Sequence, residues 1–591
     1  MNHFPDHAPL DEAQKVQLAS ALAPLTSEQI AWISGYLAGS SPGKPAAYGA
    51  VAAATQSPLT VLYGTESGNA ENLAGELCKQ AKQRGYKPTL VNMADTNPAD
   101  LAKADKLLVV VSTWGDGEPP ESAEEFYQSL MNEDHALAGV GFSVCALGDT
   151  SYEQFCQTGK EMDARLEALG AERVLNRVDC DVDYDEAFAG WSGALWEKWG
   201  AAATVGESIE RVPTDQPSYG KSNPFPAEVL ENLLLSGERS DKETYHIELS
   251  LEGSGLEYEV GDVLGVVARN TADVVNELIQ AAGLNGDIEV ELKDVGKVSL
   301  FEALTVHLDI TGLSRKVATA WQELSGSDDL KGLLSADDKK RFTDWSYGRQ
   351  IIDLLEQFPA SSLQAQQLAD MLRKLPVRLY SIASSASVHP GEVHLTVAAV
   401  RYEAHEKSRK GVASTYLADD AQKGSKVSVY THQNKNFRLP ESNETPIIMV
   451  GPGTGIAPFR AFIEERAATK AKGDSWLFFG DQHYNEDFLY QLEWQDYLKS
   501  GDLTRLDVAF SRDQPDKVYV QHKLAGHAQD VWQWLEKGAH FYVCGDASRM
   551  AKDVHQALLD IVASEGRMSS EDAEAYVATL KKQKRYQRDV Y

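Results

Sequence analysis

The stretch Gly451-Pro452-Gly453-Thr454-Gly455-Ile456-Ala457-Pro458-Phe459-Arg460 decides how this chain is read. Before it, Thr445-Pro446-Ile447-Ile448-Met449-Val450 is a short apolar run of the kind found in buried parallel strands. After it, Phe459 to Ala468 has the pattern of a helix. Strand, glycine turn and helix together seat a dinucleotide pyrophosphate. The glycines admit phosphate to the backbone, and the helix N-terminus offers free N–H groups and a partial positive charge. Downstream, Cys544-Gly545-Asp546 follows the apolar run Phe541-Tyr542-Val543; upstream lies Arg378-Leu379-Tyr380-Ser381.

With 591 residues the chain exceeds one core, and three or four domains are expected. No apolar run approaches about 18 residues, and Met1 to Leu10 lacks a basic-then-apolar pattern, so neither a membrane helix nor a secretory signal is expected. The five cysteines (Cys78, Cys145, Cys156, Cys180, Cys544) form no Cys-x-x-Cys pair, which argues against a metal or iron–sulfur site and against a disulfide framework. A reducing cytoplasm is the expected compartment. The formal net charge of −32 disfavours nucleic acid and anionic membranes. Residues 58–200 carry 25 Asp and Glu against 11 Lys and Arg, either a solvated acidic surface or a docking face for a basic protein partner.

Residues 1–57 have a helical stripe at Ile30, Ile33 and Leu37, which Thr26 can cap, and then a Ser/Pro/Gly/Ala linker from Gly39. Such a stripe needs a partner surface, and other copies of itself are the cheapest, so this segment reads as an oligomerisation region. Residues 58–200 alternate strands (Leu59–Tyr63, Leu107–Val111, Gly141–Leu147) with helices near Ala70–Arg84, Ala123–Met131 and Gly159–Leu169, as in a doubly wound parallel sheet. A proline-marked linker spans 201–225. In 226–440, Val229–Leu235, Thr244–Leu251, Val393–Val400 and Lys426–Tyr430 read as antiparallel strands of a barrel, split by a mostly helical insert at about 272–375. Residues 441–591 form the parallel α/β nucleotide domain.

Three loops at strand ends in 58–200 have unusual composition. Thr65-Glu66-Ser67-Gly68-Asn69-Ala70 offers hydroxyls, glycine and a helix N-terminus to a phosphate monoester. Ser112-Thr113-Trp114-Gly115 presents an aromatic in a glycine-flanked turn. Leu147-Gly148-Asp149-Thr150-Ser151-Tyr152-Glu153-Gln154-Phe155-Cys156 presents a second. In the last third, Ser511, Arg512 and Lys517-Val518-Tyr519-Val520-Gln521 follow the strand Arg505–Phe510. Ser, Arg, Lys and Tyr can bind a 2′-phosphate through charge-assisted bonds, where an acidic residue would favour NADH. Arg512 or Lys517 alone would read as a solvated surface charge, and the alternative reading of Cys544 is a buried structural thiol.

The three loops resemble the FMN loops of flavodoxin-like domains, with Trp114 and Tyr152 both open as the flanking aromatic. The trio Arg378–Ser381, Gly451–Arg460 and Cys544–Asp546 resembles the ferredoxin-NADP reductase family. The order of the parts, with a helical insert splitting a flavin barrel, is that of diflavin reductases. The N-terminal helix and the ending Tyr586-Gln587-Arg588-Asp589-Val590-Tyr591 resemble, within that family, the flavoprotein components of bacterial assimilatory NADPH-sulfite reductases.

The resemblance implies the rest. Arg378 binds the FAD pyrophosphate with its planar fork, Tyr380 stacks on the isoalloxazine and Ser381 sits near N5, with Leu379 between them. Thr311, Thr396-Val397-Ala398, Tyr402 and Gly411-Val412-Ala413-Ser414 make further FAD contacts. Gly453, Thr454 and Asp553 join the NADPH set. Ser381, Cys544 and Asp589 surround the hydride, and Tyr591 covers the FAD face. Electrons pass from NADPH to FAD to FMN and on to a separate sirohaem and iron–sulfur hemoprotein that reduces sulfite to sulfide, in a homo-oligomer expected to be an octamer. The alternatives are a soluble diflavin reductase of the cytochrome P450 reductase type serving another one-electron acceptor, and an assembly scaffold with inactive flavin domains.

Overall fold

The computed structural model describes residues 57–115, 117–150, 152–200, 219–293, 295–335 and 339–591. The stripe at Ile30, Ile33 and Leu37, the Thr26 cap, linker residues 201–218, and Ser151 of the third loop lie outside them. Residues 57–591 form one compact unit.

The first sheet is built from β1 (Pro58–Gly64), β2 (Lys87–Asn92), β3 (Lys106–Ser112), β4 (Gly141–Leu147), β5 (Glu172–Arg173) and β6 (Val178–Cys180), in the parallel order β2-β1-β3-β4-β5, with β6 also on β4. Val61 and Leu62 of β1 and Leu107 to Val111 of β3 are fully buried, because helices cover both faces. This is the flavodoxin-like order, whose ligand site lies beyond the ends of β1 and β3.

The second sheet comprises β7 (Phe225–Leu234), β8 (Thr244–Ser250) and β9 (Val263–Val267), then β12 (Arg378–Ser381), β13 (Glu392–Ala398) and β16 (Lys426–His432), in antiparallel order β12-β9-β16-β7-β8-β13. The Ala383 N–H donates to the His394 carbonyl at 2.8 Å, and Ile382 pairs with Leu395, which joins the two end strands and closes a barrel. β7 starts at Phe225, one residue inside the expected linker. Two hairpins lie outside the barrel, β10–β11 (Glu289–Leu292, Gly296–Ser299) and β14–β15 (Arg401–Ala404, Lys407–Lys410). The insert is helical as expected apart from β10–β11, whose four-residue strands are too short to show a period.

The third sheet is parallel, in the order β19-β18-β17-β20-β21, from β17 (Ile447–Val450), β18 (Ser475–Asp481), β19 (Arg505–Phe510), β20 (His540–Gly545) and β21 (Tyr586–Val590). The glycine turn leaves β17 at the sheet's centre. A Cβ on Gly455 would lie 2.1 Å from the Cys544 carbonyl oxygen, so only glycine lets this turn press against β20.

Candidate functional site

The loops after β1, β3 and β4 meet at one end of the first sheet. In the first loop, Gly68 has φ +84° and caps the helix Asn69–Gln83 without a side-chain bond, leaving first-turn N–H groups available to an anion. Thr65 is buried, and its hydroxyl accepts the Gly68 N–H at 2.9 Å. In the second loop, Trp114 is half-buried and exchanges main-chain bonds with Glu118, while the Ser112 hydroxyl is buried with no hydrogen-bond partner among the described residues. In the third, Tyr152 is exposed, whereas Leu147 and Cys156 are buried. The Cys156 thiol turns inward to the Ala146 carbonyl at 3.4 Å. Asp149 pairs with Arg373 and Thr150 bonds Asp181 at 2.6 Å, so these two side chains hold the loop in place. Free helix N–H groups, an orphaned hydroxyl and flanking aromatics fit FMN.

Beside the barrel lies a cavity of about 500 Å³. Thr311, Tyr402 and Val412 line it, and the expected set is joined there by Arg401, Arg409 and Lys410. Each is matched by a carboxylate, Arg401 by Asp419, Arg409 by Asp353 and Lys410 by Asp273, so a pyrophosphate bound here would take over those cations from their present partners. Val397 and Ala413 are packed in the barrel core, and the Ser414 hydroxyl accepts the Val400 N–H at 3.1 Å, which fixes the Gly411 turn. Arg378 and Leu379 are exposed on β12, and Tyr380 packs at the rim of the barrel core.

A second cavity, about 400 Å³, opens at the end of β17. Gly453, Ser511, Tyr519, Val520, Gln521 and Asp553 line it; Gln521 donates to Asp553 at 3.0 Å. Arg512 is half-exposed and pairs with Asp241 at 2.7 Å; Lys517 does not line the cavity, and Val518 packs on the core beneath. Lys242 and Arg549 do line it. The sequence reading passed over both. Lys242 lies on the loop before β8, and its ammonium pairs with Asp481 at 2.5 Å. Arg549 stands three residues beyond Asp546, and that adjacency was the available signal. Burial raises the Asp481 carboxyl above its usual value, with Lys242 opposing.

Where the barrel meets the third sheet, Ser381 of β12 donates to Asp589 Oδ2 at 2.6 Å, and Cys544 Sγ lies 3.7 Å from the same oxygen. Asp589 and Cys544 are cross-strand partners in β21 and β20. Burial raises the Asp589 carboxyl, against the bonds from Ser381 and Cys544; burial and then the Asp589 charge push the Cys544 thiol well up. The thiol is therefore neutral at pH 7. Tyr591 is largely exposed; its hydroxyl shares a 2.7 Å bond with Thr454, and its N–H donates to the Gly545 carbonyl at 3.1 Å.

The ion pairs described between residues 57–200 and the rest of the chain all have the acid on the flavodoxin-like side. Glu71 meets Lys435, Asp149 meets Arg373, Asp183 meets Lys374, Asp185 meets Lys221 and Glu186 meets Lys293, while Glu121 meets both Lys581 and Arg588. These six acidic side chains thus meet basic ones of the same chain.

Three family models match the chain: flavodoxin over residues 61–191, FAD binding domain over 217–416, and oxidoreductase NAD-binding domain over 449–556. The chain is 48% identical over 601 aligned positions to the NADPH-sulfite reductase flavoprotein alpha-component of Bacillus subtilis (strain 168), covering 99% of each. It is 46% identical to the protein of that name from Shewanella oneidensis, over 99% of this chain and 98% of that one. It is 43% identical to the one from Vibrio parahaemolyticus, over 99% and 96%. With its three sheets in the same order as these matches, the chain belongs to the family of NADPH-sulfite reductase flavoprotein alpha-components.

Proposed function

We propose that this chain supplies the electrons with which a separate hemoprotein reduces sulfite to sulfide for cysteine biosynthesis. The chain is an NADPH-dependent oxidoreductase using FAD and FMN. Flavins accept a hydride and release single electrons, which lets a two-electron donor feed a one-electron acceptor. Six electrons per sulfite then require three NADPH. The observation that carries the reading is the Ser381–Asp589–Cys544 cluster, which joins the barrel to the third sheet.

In this reading Ser381 and Asp589 orient the reacting rings by a fixed hydrogen bond, neutral Cys544 lines the hydride path without competing for it, and Tyr591 must leave Thr454 for a nicotinamide to enter. The FMN loops, Arg378 with Gly411–Ser414, and Ser511 and Arg512 with Lys517–Gln521 hold FMN, FAD and NADPH in turn. The division into 58–200, 226–440 and 441–591 gives each cofactor its own domain. Residues 1–57 assemble the chain, as an octamer, in the cytoplasm. The names of the relatives support sulfite as the final acceptor.

The test is stopped-flow reduction with and without the candidate hemoprotein. NADPH should reduce bound flavin, and the reduced chain should reoxidise rapidly only when the sulfite-reducing hemoprotein is added. Equal transfer to a P450-type acceptor would favour the alternative reductase. A purified chain that binds no flavin would overturn the reading.

A further inference from the structure

Among the described residues β21 has β20 on one side and no strand on the other, and its successive side chains alternate between faces. Arg588 and Asp589 therefore point opposite ways. Asp589 accepts from Ser381 in the hydride cluster. Arg588 reaches the flavodoxin-like domain, where its Nε donates to Glu121 Oε2 at 2.6 Å, and Lys581 completes the contact at 2.7 Å. Little of this contact is in water, the Arg588 side chain being 18% exposed and that of Glu121 23%.

Glu121 is in turn tied to the first FMN loop. Its N–H donates to Glu66 at 2.8 Å, and its neighbour Ser122 both accepts from and donates to the Thr65 main chain, each at 2.7 Å. Burial raises the Glu121 carboxyl, but Arg588 and Lys581 outweigh it and hold it below its ordinary value, so it is ionised. One strand thus carries on one face the anchor of the FMN loop and on the other the carboxylate that aims Ser381.

We propose that docking of the flavodoxin-like domain sets the hydride-transfer geometry through β21, with Glu121 as the positioning residue. The inference rests on the function proposed above. When the domain undocks, Arg588 loses both its carboxylate partner and the cover that keeps their contact from water, and its guanidinium turns to solvent. A strand held on one side yields to that pull, and Asp589, the next residue, loses its aim. Misplacement by about 1 Å at a reacting centre costs on the order of 10²-fold in rate. FAD reduction is then fast in the docked form and slow once the domain has swung away, which keeps a second hydride from entering while FMN is delivering.

The test uses the full chain with both flavins and the isosteric Glu121→Gln, on a different domain from the hydride cluster. The expected results are a loss of at least fivefold in single-turnover FAD reduction by NADPH, and hydrogen exchange at least tenfold faster at the amides of Asp589 and Val590. Arg588→Gln should give the same losses, and the double variant no more than either single one, because all three break one contact. FAD reduction within twofold of wild type in Glu121→Gln, with unchanged exchange in β21, overturns the proposal, as do additive losses in the double variant. If wild type itself is not reduced by NADPH, the proposed function fails instead.

Discussion

Ser381 and Asp589 are 208 residues apart in sequence and joined by a 2.6 Å hydrogen bond between β12 and β21. The bond spans the barrel and the dinucleotide sheet, so it fixes the two relative to each other at the proposed hydride path. Ser381→Ala should slow FAD reduction by NADPH about 10²-fold while leaving flavin content near normal, since one positioned donor at a reacting centre has that effect. A wild-type reduction rate in stopped flow would contradict the assignment.

Glu66 gives a pH dependence. Burial, and then the Glu121 charge, raise its carboxyl from 4.5 to about 7. A folded-state value above the unfolded one means the stability contribution is complete below about pH 4.5 and is lost as pH rises through about 7. Within that window this group alone tilts stability by up to about 1.4 kcal/mol per pH unit. Glu66→Gln should flatten the fall in Tm between about pH 5 and 7; an unaltered Tm profile would show that Glu66 titrates normally.

Cofactor choice should depend on Arg512 and Lys517. Each charge-assisted bond to a 2′-phosphate is worth roughly 1.5–3 kcal/mol, so the Arg512→Ala, Lys517→Ala double variant should lose on the order of 10²–10⁴ of the NADPH preference. In the structure Arg512 is engaged by Asp241, and Arg549 lines the cavity instead. Retained preference in the double variant, abolished by Arg549→Ala, would move the phosphate to Arg549.

Docking of the flavodoxin-like domain should be salt-sensitive. Several of its pairs are exposed, including Lys293 with Glu186 and Lys374 with Asp183. Raising salt from about 0.1 to 1 M shortens the Debye length from about 10 to 3 Å. X-ray scattering should then report a larger radius of gyration; a radius independent of salt would mean that apolar contact, not charge, holds the domain.

Deleting residues 1–57 should yield a monomer in sedimentation that still passes electrons from NADPH to a small artificial acceptor. Retention of the full-length oligomeric mass would place assembly elsewhere.

The elements legible in sequence were the self-contained ones. β1, β3 and β4 are apolar runs ending in loops of odd composition, and the turn at Gly451–Gly455 announces itself between a strand and a helix. What stayed hidden depends on distant pairing. β21 is too polar, as Tyr586-Gln587-Arg588-Asp589-Val590, to read as a strand; only its place beside β20 makes it one. Lys242 sits 239 residues from Asp481, and Glu121 lies 467 from Arg588. No local pattern encodes such contacts. The acidity of residues 58–200 gave the sign of the partner but not its identity.

The flavodoxin-like domain meets its basic partner within its own chain, so an outside acceptor that needs the same acidic face competes with a tethered rival. A partner on the same chain acts at an effective concentration on the order of millimolar. If the docked form is about 99% populated, any such acceptor binds about 100-fold more weakly than its contacts alone would allow. Variants that weaken docking should therefore tighten apparent acceptor affinity even as they slow the filling of FMN, and turnover should peak at an intermediate strength of the internal contact.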